Sequence, residues 1–179
     1  ALMTRSDHQS GSDRIAEAAA QIEAEIVGNI QGDEPFIEPG MITAAIDPLL
    51  NNPDLSVTTL CRKLDHETAF NNPNVVKVVR DSHANALYFS RSLIPYPRYQ
   101  GHCPVYEHVG LYVYRKDFLL DFVRWPQTPL EQAESLEQLR ILEQGYKIRV
   151  VETSLGLGAP SIDTQEDLER ARVYLESIN

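Results

Sequence analysis

The stretch Gln31-Gly32-Asp33-Glu34-Pro35 limits what this chain can fold into more than any other. Before it, Glu25-Ile26-Val27-Gly28-Asn29-Ile30 reads as a short buried strand. The strand breaks at Gly32, where the backbone can turn sharply and approach a ligand. Pro35 then fixes the exit and cannot continue a ladder. The outcome is a carboxylate, Asp33, at the carboxyl end of a strand, the place where open α/β sheets bind ligands. A bare Gly-Asp after a strand is usually only a turn. Gln31 and Glu34 add polar groups at the strand end, which is costly unless something uses them.

At 179 residues the chain is long enough for one domain with a sizeable core, and we expect a single domain over 1–179. Its net charge of −10 argues against nucleic acid as a partner, because binding a phosphate backbone needs clustered Lys and Arg. An anionic substrate would have to be held by a metal or a local basic patch. Cys61 and Cys103 form no C-x-x-C pair, which suits two inert thiols in a reducing compartment. No apolar run approaches the length of a membrane span, and no signal-peptide pattern opens the chain. A cytoplasmic location is expected.

Along the chain, Ala1-Leu2-Met3-Thr4 looks like the end of a strand, and residues 5–12 are polar and loop-like. Asp13 is a candidate cap for a helix to about Ala24, with Ile15, Ala18, Ala19 and Ile22 at helical spacing. A second helix is predicted over Pro39–Leu50, its last turn weakened by Pro48. Strands are expected at Leu55–Leu60, Val75–Arg80, Ala86–Ser90, His108–Tyr114 and Lys147–Glu152. Between the last two, Lys116–Val123 reads as a helix and Leu130–Gln144 as one long helix stopped by Gly145. Asp163 or Thr164 caps a final helix to about Leu175. Helices alternate with strands early and strands cluster in the middle, which describes an α/β sheet with an antiparallel insert.

A second acid, Asp163, lies between a loop and a helix. Alone it reads as a helix cap. Yet Asp33 and Asp163 both follow strands, and in a parallel sheet they would face one crevice. Two carboxylates with open positions suit a magnesium ion whose shell is completed by phosphate oxygens. His102, Cys103 and His108 lack a fourth ligand and make a poor zinc site.

Several segments recur in a family's order. They are Met3-Thr4-Arg5 with Asp7-His8-Gln9-Ser10-Gly11, then Gln31-Gly32-Asp33-Glu34-Pro35, then Tyr88-Phe89-Ser90-Arg91-Ser92-Leu93-Ile94-Pro95-Tyr96. His108-Val109-Gly110-Leu111-Tyr112, Pro129-Leu130-Glu131, Leu136-Glu137-Gln138-Leu139-Arg140 and Ile162-Asp163-Thr164 follow. Together they closely resemble the 3-deoxy-D-manno-octulosonate (KDO) cytidylyltransferases, the CMP-KDO synthetases of lipopolysaccharide assembly. The resemblance implies a Rossmann-like, glycosyltransferase-A-like nucleotidyltransferase with a mixed sheet flanked by helices and a smaller antiparallel insert. It implies transfer of a cytidylyl group from CTP to KDO, and a homodimer.

By that resemblance Asp33 and Asp163 are the catalytic acids and hold Mg2+. Thr4, Arg5, Gln9, Ser10, Gly11 and Gln31 match the nucleotide site. Arg91, His108, Tyr112, Glu131 and Gln138 match the sugar pocket. KDO brings a carboxylate and several hydroxyls, which call for one cation and several neutral or acceptor groups. Each residue also has a plainer reading: Arg91 as a surface strand residue, Glu131 as a first-turn helix acid, Tyr112 as core.

The pattern departs from the family at its front, where an opening strand, a basic phosphate-wrapping loop, and a second strand and helix do not appear. Ser161 and Gln165 also replace the usual glycine and proline around Ile162-Asp163-Thr164. The chain therefore reads as N-terminally truncated relative to that family, its front strands missing. Ile26–Ile30 is expected to have an open edge, and the 179-residue chain alone to be poorly soluble or self-associated and to bind CTP weakly or not at all. Two other readings stay open: a cytidylyltransferase for 8-amino-KDO or a sialic acid, and a non-catalytic interaction domain.

Overall fold

The computed structural model describes every residue except 9, 65–66, 100–102, 157–160, 163 and 179. Its sheet is built around β5, Tyr106–Arg115, and the strand that carries the site is β1, Ile26–Ile30. Preceding them in chain order is α1, Gly11–Ala20; α2, Pro39–Asn51, β2, Val57–Lys63, α3, Glu67–Phe70, β3, Lys77–Arg80, and β4, Ala86–Ser90, lie between. After β5 come α4, Lys116–Phe122, α5, Pro129–Glu134, α6, Gln138–Glu143, β6, Arg149–Glu152, and α7, Gln165–Ile178.

One edge of β5 pairs antiparallel with β2. Its other edge is shared. The first residues pair with β3, Lys77 opposite Glu107, and the later ones with β1, Ile30 opposite Leu111 through Ile26 opposite Arg115. β6 adds to β2 in parallel and β4 adds to β3 as an antiparallel hairpin, giving the order β4-β3-β5-β2-β6 with β1 branching from β5. The sheet is mixed, as expected, and β3–β4 is the antiparallel insert.

Alternation along β5 explains why both faces are covered. Val109, Leu111 and Val113 join Met41, Ala45 and Leu49 of α2 in one apolar layer. Tyr112 and Tyr114 point the other way, into a layer with Ala16 and Ala19 of α1, Phe118 and Phe122 of α4, and Leu139 and Ile141 of α6. Arg115 fastens the end of α2: its guanidinium donates to the carbonyls of Leu49, Asn52 and Leu55. Those carbonyls have no intrahelical partner, so the cation satisfies them and favours the helix dipole.

Several expectations are corrected. Residues 1–4 form no strand, since no ladder reaches them. α1 is capped by Ser10, not Asp13. The Ser10 hydroxyl accepts from the Asp13 N–H and the Asp13 carboxylate accepts from the Ser10 N–H, a reciprocal box, and the helix stops at Ala20. The single helix expected over residues 130–144 is two helices, broken at Ser135, which takes the left-handed conformation with φ 52°. α2 runs past Pro48 to Asn51. Thr164 is the acceptor at the start of α7, its hydroxyl and N–H exchanging hydrogen bonds with Asp167. β2 and β5 are longer than predicted, and β3 and β6 begin two residues later. As expected, β1 has an open edge: it pairs only with β5 among the described residues. None of the described helices is long and apolar enough to cross a membrane.

Because Leu111 is fully buried between β5 and α2, Leu111→Ala should cost about 3 kcal/mol. Urea unfolding followed by circular dichroism measures this as a lower midpoint at unchanged slope.

Candidate active site

β1 delivers its chain into a tight turn, closed by the Glu34 N–H on the Gln31 carbonyl at 3.2 Å. Asp33 is exposed at the tip, and no described residue hydrogen-bonds to or ion-pairs with its carboxylate. The carbonyl of Asp33 accepts the N–H of Ile162 at 2.8 Å. That bond ties the segment before the last helix to the β1 turn, although β1 runs antiparallel to β5 rather than within a parallel sheet. Asp163 itself lies outside the described residues, as does Gln9.

Behind Asp33, Glu34 turns inward against the bulge where β2 and β5 slip register. A Cβ on Gly110 would lie 3.3 Å from Glu34 Oε1, so glycine there makes room for the carboxylate. Burial raises the Glu34 pKa to about 6, against the pull of Arg62. Arg62 bonds Glu107 at 2.8 Å and donates to the Gly156 carbonyl.

The segment matched to the nucleotide folds back on α1. Arg14 donates to the Thr4 hydroxyl at 2.6 Å and the Arg5 carbonyl at 3.1 Å, while Arg5 approaches Asp7 and Glu17. Arg5, His8, Glu17 and Arg124 border a cavity of about 370 Å³. Gly11 opens the helix directly against Gln31: a Cβ there would sit 3.3 Å from Gln31 Oε1. Ser10, Gly11 and Gln31 are therefore brought together.

The residues matched to the sugar pocket divide. His108 and Tyr112 lie 5.2 Å apart between ring centroids, and Phe89 meets His108 edge-on at the same distance. The Thr59 hydroxyl is 2.8 Å from the Leu111 carbonyl and 2.9 Å from His108 Nε2. With its proton given to the carbonyl, it accepts from Nε2–H, which leaves Nδ1 as the acceptor. Desolvation pushes His108 down to about 3, so the ring is neutral near pH 7. The Tyr112 hydroxyl is buried without a hydrogen-bond partner among the described residues, and its pKa is raised well above the ordinary value by burial. Gln138 is buried at the start of α6.

Arg91 uses three of its donors on backbone carbonyls, those of Glu134, Pro73 and Ser135, leaving two N–H groups for a ligand. Glu131 has a structural occupation. Its carboxylate is buried and holds Arg140 through two contacts, 2.8 and 2.5 Å, and also accepts the Thr128 N–H. A second acid, Glu137, the N-cap of α6, meets the start of α1. Its two oxygens accept the hydroxyls of Ser10 at 2.9 Å and Ser12 at 2.8 Å. Burial raises its pKa, opposed by those two hydrogen bonds. Nothing in the sequence around Glu137 marks it for a role; only the serine hydroxyls 125 or more positions away single it out. Ser10, Glu137, Glu131 and Arg140 line a second cavity of about 600 Å³.

The site thus joins an exposed carboxylate on a tied turn, a carboxamide against a helix N-terminus, and a neutral His–Tyr pair with an unsatisfied hydroxyl. A family model described as "Cytidylyltransferase" matches residues 1–148. A 3-deoxy-manno-octulosonate cytidylyltransferase of Solibacter usitatus is 52% identical over 98% of this chain and 70% of its own length. One from Syntrophotalea carbinolica is 48% identical over 98% and 73%. The solved structure of a CMP:2-keto-3-deoxy-manno-octonic acid synthetase complexed with CTP superposes with TM-score 0.91 at 41% identity, covering 99% of this chain and 73% of that one. A structure named as a putative glucose-1-phosphate thymidylyltransferase from Bacillus anthracis shares the fold alone, at TM-score 0.62 and 15% identity.

Burial of neutral His108 sets a pH dependence. Its folded pKa, about 3, lies below the unfolded value near 6.5, so the unfolded chain binds the extra proton between them. Its stabilising contribution is present above pH 6.5 and is lost as pH falls toward 3. Glu34 acts in the opposite sense, its contribution being lost as pH rises from 4.5 through about 6. The melting temperature of a folded His108→Gln variant should therefore fall less steeply than wild type on acidification below pH 6.5.

Proposed function

The chain belongs to the 3-deoxy-manno-octulosonate cytidylyltransferase family, and from that premise we propose that it transfers the cytidylyl group of CTP to KDO, as one domain. An oxygen of the sugar's anomeric hydroxyl attacks the α-phosphorus and loses its proton. The new P–O bond gives CMP-KDO, and cleavage of the bond to the β-phosphate releases pyrophosphate. The observation that carries the reading is the 2.8 Å bond from Ile162 to the Asp33 carbonyl, at the two motifs that supply the acids.

Asp33 fits a hard divalent cation, being an exposed carboxylate not spent on another residue. Asp33 and Asp163 would hold Mg2+, which when bound offsets charge developing on the phosphoryl oxygens. The chain's own groups orient the substrates. Thr4, Arg5, Gln9, Ser10, Gly11 and Gln31 face the nucleotide in this reading. Arg91, with two N–H groups left, receives the sugar carboxylate. Neutral His108 offers an acceptor and Tyr112 an unpaired hydroxyl to sugar hydroxyls. Gln138 joins them. Glu137 rather than Glu131 is the acid at the boundary between the two substrates, given the ion pair that occupies Glu131.

A homodimer belongs to the proposal, because Leu87, Tyr96 and Tyr99 expose apolar surface around the β3–β4 insert that a second copy would cover. A cytoplasmic location fits the two unbridged cysteines, Cys61 and Cys103.

Asp33→Asn should lower kcat by roughly a hundredfold or more, by removing a charge and a ligand, while the melting curve stays that of wild type. Near-normal turnover in the folded variant contradicts the metal assignment. Tyr112→Phe should raise the KM for the sugar several-fold with the KM for CTP unchanged. Its stability should be equal or higher, because the removed hydroxyl is buried without a partner. Steady-state kinetics and thermal melts check both.

A further inference from the structure

Asn29 is an anomaly in β1. It is only 2% exposed, in the interior of a strand, where an amide is disfavoured and its burial is costly unless bonded. Local rules of this kind are broken mostly at functional sites. The strand's alternation puts Val27, Asn29 and Gln31 on one face, toward the layer that contains α1. Across the ladder Asn29 stands opposite Tyr112, so its side chain shares that face with the site tyrosine.

The bond that Asn29 makes is specific. Gln31 Nε2 donates to Asn29 Oδ1 at 2.7 Å. A carboxamide has one acceptor oxygen and one donor nitrogen. Engaging the nitrogen there leaves the oxygen, Oε1, without a hydrogen-bond donor among the described residues, and the carboxamide lies against Gly11 at the N-terminus of α1, where a Cβ would come 3.3 Å from Oε1 and 3.5 Å from Nε2. A free glutamine would present either end. This one has its nitrogen engaged and its acceptor open.

We propose that Asn29 is a positioning residue that fixes the Gln31 carboxamide so that its oxygen accepts a hydrogen bond from a donor group of the bound nucleotide, an amino or hydroxyl group. This rests on the cytidylyltransferase reading and deepens it. Asn29 does not touch substrate; it sets which end of Gln31 does. The preference follows from chemistry, because a ligand presenting a donor is matched and one presenting only an acceptor there leaves two oxygens facing each other.

A double-mutant cycle in the enzyme tests it, with Asn29→Leu, Gln31→Leu and the pair, assayed for the KM of CTP and of the sugar. Expected for Asn29→Leu is a rise of about tenfold in the KM for CTP, one hydrogen bond's worth of binding, with the sugar KM within twofold. Gln31→Leu should do at least as much, and the double variant should be no worse than Gln31→Leu alone. A merely structural role for Asn29 would make the two effects multiply, or would raise both KM values together, and either result overturns the proposal. Should Asn29→Leu fail to fold, Asn29→Ser, whose oxygen is too short to reach Gln31, gives the same reading. If Gln31→Leu leaves both KM values unchanged, Gln31 touches no substrate and the proposal falls. If turnover with CTP and the sugar is absent in wild type, the cytidylyltransferase reading fails instead. CTP and 2′-deoxy-CTP, compared in wild type and Gln31→Leu, tell the ribose hydroxyl from the base amine: loss of discrimination in the variant assigns the hydroxyl, unchanged discrimination the amine.

Discussion

Both edges of β5 are occupied by other strands, and both of its faces are buried, so the geometry of the whole site is referred to one ten-residue segment. β1 is held in register by it, and with β1 the turn that carries Gln31 and Asp33. His108 and Tyr112 lie on β5 itself, and the β3–β4 insert hangs from its first residues. A one-residue slip against β1 would turn Asn29 and Gln31 away from α1 and toward α2. The apolar layers on the two faces oppose such a slip, since Leu111 and Tyr112 are buried in opposite directions. Packing therefore fixes where polar groups face one another.

The bulge in β5 is the point at which this scaffold becomes a site. The ladder passes from Thr59 opposite Tyr112 to Leu60 opposite Val109, leaving Gly110 and Leu111 as the extra residues on the β5 side. Thr59 satisfies the displaced Leu111 carbonyl and fixes His108, while the space at Gly110 takes the Glu34 carboxylate. Acidic groups at a site for anionic substrates would be unfavourable if all were exposed and charged. Here Glu34 is shifted up by burial, Glu137 is bonded by two serines, and Glu131 is neutralised by Arg140. Among the described acids of the site, Asp33 is the one left turned to solvent.

Much of this was legible from local patterns. The β1 strand, its Gly32 turn and the acid after it follow from an apolar run ended by glycine and proline. Pro39 in the first turn and the spacing of Met41, Ala45 and Leu49 mark α2 within a residue of its observed end. What was hidden depends on contacts between distant segments. No glycine or proline announces the break at Ser135; there Glu134 leaves the helix surface to bind the Ser90 hydroxyl and the Arg91 N–H. Val75 and Val76 look like strand but precede it, because Lys77 is buried and gathers the carbonyls of Asn72, Val75 and Arg91 at the turn. Glu131 and Glu137 are alike in sequence, and the partners that separate them, Arg140 and the two serines, appear only on folding. Asp33 was found by its local setting; the bond that ties its turn to Ile162 spans most of the chain.

This scaffold joins CTP to KDO. That activity is tested most directly by supplying the protein with CTP, Mg2+ and either KDO, 8-amino-KDO or a sialic acid in parallel, following pyrophosphate release and identifying the product by mass spectrometry. Pyrophosphate release and CMP-KDO, with KDO as the preferred sugar, are the expected result. Release with another acid sugar and none with KDO would contradict it.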